Sequence, residues 1–262
     1  MDWMDWMDGM DGIAYTGRDN LDVMDLAVRY NESIFQDMLR CFGSSTDPDA
    51  DPDESGSRNA RTILDFGAGK GRFARRLQAM GFTMRCVEDD PLLAGEIVAY
   101  GLPVEISLGL LPDASVDALY AINVLEHIAD DQAMLEDWWR VLRPGGHLYL
   151  YVPAFPLLYS SMDRKVGHYR RYKKAPLTQL LRDCGFTVSM SRYVDSIGFA
   201  ASLAYRLIGP DDGVLSARSV GFYDRWIFPF SQWLDQLAHP IFGKNVVIWA
   251  KKAKKAKKEG QG

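Results

Sequence analysis

Ile63-Leu64-Asp65-Phe66-Gly67-Ala68-Gly69-Lys70-Gly71-Arg72-Phe73 reads as a buried strand, a glycine turn and the first turn of a helix. Ile63, Leu64 and Phe66 supply the apolar strand, and Phe73, Ala74 and Leu77 have helical spacing. Glycines at 67, 69 and 71 let backbone approach a ligand without a Cβ in the way. A loop at a helix N-terminus is expected to turn free N–H groups toward a bound molecule. The dinucleotide fingerprint G-x-G-x-x-G needs a third glycine at position 72, where Arg72 stands. That substitution argues against a nicotinamide-dependent oxidoreductase.

Outward from this stretch the pattern alternates. Strands are expected at 62–66, 84–88, 104–107, 118–122 and 147–152, with helices at 72–79, 91–100 and 130–142 between them. A helix over 175–183, a strand over 186–193 and a last strand over 245–250 complete the set, the last one antiparallel. Such alternation implies an α/β, doubly wound, mostly parallel seven-stranded sheet with ligands at the carboxyl ends of its strands. Asp65, Glu88, Asn123 and Val152-Pro153 then share one rim.

The D-x-G-x-G-x-G run from Asp65 to Gly71 resembles motif I of the class I S-adenosylmethionine (SAM) methyltransferases. Three further pieces follow in that family's order. Cys86-Val87-Glu88-Asp89-Asp90-Pro91 is similar to the end of its second strand, Asn123-Val124-Leu125-Glu126-His127-Ile128 to its fourth-strand region, and Arg140-Val141-Leu142-Arg143-Pro144-Gly145-Gly146 to its helix, turn and fifth strand. The resemblance covers about residues 61–153 and implies a Rossmann-like fold, SAM as cofactor and S-adenosylhomocysteine as product. It implies a cofactor site of Asp65 at the amino-acid end of SAM, Gly67, Ala68, Gly69 and Gly71 in the loop, and Asn123 and Val124 after the fourth strand. Glu88 is the best match for the ribose acid and Asp89 the fallback. The acid the family often places beside adenine is missing from Ile106–Pro112, leaving backbone and apolar contact from Leu108 or Leu110.

After the fifth strand, Val152-Pro153-Ala154 leads to Ser160-Ser161-Met162-Asp163 and Gly167-His168-Tyr169-Arg170-Arg171-Tyr172. This resembles a bacterial methyltransferase subgroup associated with glycan, lipid-linked sugar and cell-envelope pathways. His168 is the leading candidate for a base that deprotonates a hydroxyl acceptor, with Asp163 orienting it and His127 second. Arg170 and Arg171 have the chemistry to clamp a phosphate or carboxylate, or to fasten the loop to a core acid. Tyr159, Tyr169 and Tyr172 can stack on a ring or sugar or pack within the loop, and Tyr30 can face the pocket or the core. Glu126-His127 resembles the metal-holding E-x-x-E-H of ubiquinone-pathway O-methyltransferases, but Asn123 replaces the first acid, so no metal is expected and Glu126 is read as structural.

The 262 residues divide into an N-terminal tail (1–18), a helical cover and linker (19–60), a methyltransferase-like domain (61–250) and a basic tail (251–262). The tail opens with a Met-Asp-x repeat carrying Trp3 and Trp6. The cover has helical spacing with a cap at Asp19 or Asn20 and a break near Tyr30-Asn31. Residues 1–60 hold 14 acids and 4 bases, while the last twelve hold six lysines and one glutamate. The body between is close to neutral, which argues against nucleic acid as a partner. No secretory pattern or apolar run of about 18 residues is seen, so a cytoplasmic protein is expected. Cys41, Cys86 and Cys184 read as buried thiols. An apolar insertion, 197–242, with helical spacing broken at Pro229, is expected to pack in the core, form a homodimer, cover a hydrophobic substrate or touch the inner face of a membrane.

The sequence thus points to methyl transfer onto a hydroxyl of a small-molecule, glycan or lipid-linked acceptor. Its rivals are an N-methyltransferase of a small amine and a SAM-binding module without catalysis.

Overall fold

The computed structural model describes residues 18–43, 61–208, 213 and 216–253. The Met-Asp-x repeat, nearly all of the linker and the lysines beyond Ala253 lie outside the described residues. Two helices come first, α1 (Arg18–Asp25) and α2 (Val28–Gly43). The alternating body follows: β1 (Thr62–Phe66), α3 (Arg72–Ala79), β2 (Thr83–Val87), α4 (Pro91–Ala99), β3 (Val104–Glu105), β4 (Val116–Ile122), α5 (Asp131–Val141) and β5 (Leu142–Pro153). Then come α6 (Ser161–Lys165), α7 (Lys174–Asp183), β6 (Phe186–Val194), α8 (Ser196–Ile208), α9 (Ala217–Phe222), α10 (Phe228–Ala238) and β7 (Asn245–Lys252).

The seven strands form one sheet in the order β3-β2-β1-β4-β5-β7-β6. Neighbours from β3 to β5 are parallel, and β7 runs antiparallel to both β5 and β6. Period-two alternation assigns the faces. Leu64 and Phe66 pack with Trp138 and Leu135 of α5 on one side. Ile63 packs with Tyr120, Tyr149 and Met38 of α2 on the other. The three cysteines are free and buried, as expected. Among the described residues, no helix is long and apolar enough to cross a membrane.

Chain order reverses at β1, between β2 and β4, which places the ligand crevice at the carboxyl ends of these strands. The chain leaves four strands there through left-handed residues: Gly67 after β1 (φ 71°), Asn123 after β4 (φ 54°), Phe155 after β5 (φ 58°) and Asp195 after β6 (φ 62°). Three of these are not glycine. Backbone held in that region concentrates at functional sites.

Several local expectations shift. The helical cover breaks at Leu26-Ala27, ahead of Tyr30, and Asp19 and Asn20 lie within α1 rather than capping it. The cap of α2 comes from far away in sequence: the Asp224 carboxylate accepts the N–H groups of Arg29 (3.1 Å) and Tyr30 (2.8 Å). The third strand is only two residues long, because Ser107 caps a 3₁₀ turn at Leu108–Leu110. Pro229 does not break the insertion. It stands in the first turn of α10, behind a π-turn at Tyr223–Ile227, where its missing N–H costs little.

Asp224→Ala removes the acceptor for two N–H groups at once. A lost helix cap costs about 1–2 kcal/mol, so a melting temperature lower by several degrees is expected, at roughly 2–4 °C per kcal/mol. An unchanged melting curve would mean that the long-range cap contributes nothing.

Candidate active site

The glycine loop is held from below. Gly67 and Ala68 both donate their N–H groups to the Val87 carbonyl, at 2.9 and 3.1 Å. Gly69 donates to Glu88 Oε2 (2.7 Å) and Gly71 to the Ala68 carbonyl (2.9 Å). These amides are therefore engaged inside the protein, contrary to the expectation of free donors. A pyrophosphate would find none of the four available. Each glycine has its own reason. A Cβ on Gly67 would stand 2.5 Å from Val124, whereas the Cβ direction of Gly69 meets nothing within 4 Å. The loop thus presents an open face at Gly69 and a packed one at Gly67 and Val124.

Two buried carboxyls flank this loop. Asp65 is the penultimate residue of β1, and burial, with the charge of Glu88, pushes its pKa up to about 7. Glu88 follows β2, accepts from Gly69 and from the Asp90 N–H (3.1 Å), and is pushed by burial to about 7. Asp89 is exposed beside it, and Asn123 is exposed on the rim. Leu108 departs from expectation: its side chain is 2% exposed in the core, and the exposed apolar groups nearby are Ile106 and Leu110. The capped 3₁₀ turn rotates it inward.

The loop after β5 is built around Asp163, which is 1% exposed. Its carboxylate accepts from the Ser160 N–H (2.8 Å), from Arg171 Nε and Nη2 (2.8 and 2.9 Å) and from His168 Nδ1 (2.8 Å). Burial acts to raise its pKa, but the hydrogen bonds from His168 and Arg171 prevail and hold it well below the usual carboxylate range. His168 Nε2 lies 3.8 Å from Glu126 Oε1. The His127 ring meets the His168 ring edge-on, with centroids 4.6 Å apart. Burial first, then the neighbouring His168, lowers the pKa of His127 to about 4.

Glu126 is the residue that sequence reasoning undervalued. It is wholly buried, neither carboxyl oxygen has a hydrogen-bond partner among the described residues, and burial raises its pKa to about 8. One ligand-type atom each from Glu126, His127 and His168 fall within 4.8 Å of one another. Only Glu126-His127 was visible locally, since His168 arrives from another loop. Lys244 was also missed. It precedes β7, its ammonium lies 5.7 Å from the Tyr30 ring centroid, and burial lowers its pKa.

Most of the expected substrate contacts are spent on the protein itself. Arg171 is bidentate on Asp163, and Arg170 pairs with Asp131 (2.9 Å) and the Ala129 carbonyl. Tyr172 donates to the Leu125 carbonyl or Asp131, at 3.1 Å each. Tyr159 donates to the His168 carbonyl (2.7 Å). Tyr30 is buried, with its hydroxyl 2.7 Å from that of Tyr151 and accepting from Asn245 (2.9 Å). Of the named aromatic and arginine candidates, Tyr169 alone is exposed, at 63%.

A family profile described as a methyltransferase domain matches residues 64–150. A Mycolicibacterium smegmatis protein named as an S-adenosylmethionine-dependent methyltransferase is 30% identical over 135 residues, 49% of this chain and 52% of the relative. The chain thus matches about half the length of that relative. An uncharacterized methyltransferase of Mycobacterium sp. (strain JLS) is 30% identical over 178 residues, 63% of this chain and 67% of the relative. The crystal structure of a SAM-dependent methyltransferase from Archaeoglobus fulgidus shares the fold, with a TM-score of 0.51 at 17% identity over 74% of this chain and 87% of that one. The chain belongs to the class I S-adenosylmethionine-dependent methyltransferase family.

The folded pKa of Glu126, about 8, stands above its ordinary 4.5. The folded state therefore binds this proton more tightly than the unfolded chain, and stability is lost as pH rises from the lower value through the higher. Glutamine mimics the protonated acid at every pH. Glu126→Gln is expected to change the melting temperature little near about pH 5 and to raise it at about pH 8.5 by several degrees, at roughly 2–4 °C per kcal/mol. Equal offsets at the two pH values would contradict a buried, unpaired carboxyl.

Proposed function

We propose that the protein transfers a methyl group from SAM to a hydroxyl of a small-molecule, glycan or lipid-linked acceptor. The observation that carries this reading is the Asp163–His168 pair at the rim, with Nδ1 fixed at 2.8 Å by a carboxylate that stays ionised. Fixing the Nδ1 proton leaves Nε2 as the basic atom.

The cofactor half of the rim suits a cation without a pyrophosphate. Its four loop amides are engaged, its two buried carboxyls stand beside the loop, and Gly69 faces open space. Asp65 would hold the amino-acid end of SAM. Glu88, with Asp89 behind it, would hold the ribose. Gly67, Ala68, Gly69, Gly71, Asn123 and Val124 would line the remainder. When bound, SAM supplies a methyl group on a positively charged sulfur, so the protein's main task is to align a nucleophile with it.

On the acceptor half, His168 would take the hydroxyl proton at Nε2 and leave the acceptor oxygen as the nucleophile. Asp163 stabilises the imidazolium. His127 is kept neutral by burial, so it adds no repulsion beside that charge. Glu126 is protonated at neutral pH and can donate toward the acceptor oxygen. We read the three groups as a proton-handling set that works without a metal.

His168→Ala is expected to lower turnover of a hydroxyl acceptor by about 10²–10⁴-fold while leaving SAM affinity nearly unchanged. Unchanged turnover would remove the base and favour a neutral amine as acceptor. In the same assay a chelator should leave the wild-type rate intact. Loss on chelation, restored by a divalent ion, would make Glu126, His127 and His168 metal ligands instead.

A further inference from the structure

α9, the π-turn and α10 follow one another without a break over residues 217–238. At 1.5 Å per residue they make a rod about 33 Å long. Its inner edge, Asp224, Phe228, Ser231 and Ala238, is buried against the protein. Its outer edge is apolar as well. Phe222, Trp226, Phe230, Trp233 and Leu237, with Ile241 just beyond, recur every three or four positions and are each 58–72% exposed. A helix that is apolar on both edges has a second face to cover. The four aromatic side chains alone leave roughly 400–600 Å² in one stripe, at about 150–250 Å² per aromatic residue. That is the size of the largest patch on an ordinary monomer, about 300–600 Å², a patch that is often functional.

The charges around the stripe identify what covers it. From Ser216 to Ile241 there are two acids, and both are turned inward. Asp224 caps α2, and Asp235 accepts the N–H groups of Asp195 (2.7 Å) and Ser196 (2.8 Å). The charged side chains left on the outer side are Arg218 and Arg225, the latter 5.3 Å from the Trp226 ring centroid. α8, packed on α10, has no acid either and ends in Leu207 and Ile208, exposed at 72% and 87%. Asp22 and Asp25 of α1, which packs on α9, are paired with Lys70 and Arg72, so among the described residues of α8 to α10 pairing with a second copy would set two faces together whose outward charges are arginines. An anionic lipid surface meets both the charge and the apolar stripe, as it does for helices that lie in the bilayer interface.

We propose that this rod docks on anionic lipid, with Trp226 and Trp233 entering the headgroup region. The test uses the full chain with vesicles of phosphatidylcholine, with and without phosphatidylglycerol, followed by sedimentation and tryptophan emission. Binding to the anionic vesicles with a blue shift is expected, weakening as salt is raised. The triple variant Phe222→Ser, Phe230→Ser, Trp233→Ser should bind at least about tenfold more weakly, with SAM affinity intact as a check on folding. Arg218→Glu with Arg225→Glu should weaken binding in the same direction. No binding of the wild-type chain would overturn the proposal. So would undiminished binding of the triple variant, which would assign the attraction to the terminal lysines. A dimer in solution that the triple variant abolishes would overturn it too, with a second copy as the occupant.

Discussion

The Asp163 carboxylate, enclosed by the loop it organises, is the interaction on which the acceptor side depends. A charge so buried survives only when several donors converge on it. Arg171 supplies two, His168 one, and the Ser160 backbone N–H another. That convergence closes the long connection after β5 on itself and lays it against the turn after β4, where Tyr169 N–H donates to the Glu126 carbonyl (2.8 Å). His168 and His127 are thereby set edge to edge at the rim. Because Asp163 is held ionised, its carboxylate can accept the Nδ1 proton of His168 and orient the ring.

The two acids nearest the imidazoles are driven in opposite directions. Asp163, surrounded by donors, is pushed down, while Glu126, wholly buried and without a partner among the described residues, is pushed up to about 8. Pairs of titratable groups separated in this way mark out acid and base roles. The cofactor side follows a different rule. There the loop amides are consumed internally, and what remains is open space at Gly69 between two carboxyls near neutrality. A rim that spends its donors and keeps its carboxyls favours a cationic ligand over a phosphate.

The parallel sheet was legible because each strand carries its own apolar run and the glycine turn is local. The pairing of Asp163 with His168 was legible because five residues separate them. What the sequence left open or missed depends on contacts distant in sequence. Tyr30 was left between pocket and core, and its partners, Tyr151 and Asn245, place it in the core, in the first turn of a helix capped by Asp224. Arg170 and Tyr172 share Asp131, from which α5, β5 and α6 separate them in the chain. Leu108 turned inward because a capped 3₁₀ turn replaced two residues of expected strand. Pro229 was read as a break because nothing in the sequence announces the π-turn that precedes it. Glu126 was set aside for the same reason: its isolation from partners is a property of the packed loops, not of its neighbours in the chain.

The most direct measurement is a calorimetric titration of the folded protein with SAM, at about pH 8 and about pH 6, beside Asp65→Asn. Asp65 and Glu88 both sit near 7, so a cationic ligand must displace protons below that value. We expect binding of about micromolar strength at the higher pH and, below about 7, binding weaker by up to about tenfold per pH unit for each proton displaced. The Asp65→Asn variant should bind more weakly and lose most of that pH dependence. Failure of the folded protein to bind SAM, or an affinity indifferent to both pH and Asp65, would contradict the assignment of this rim as the cofactor site.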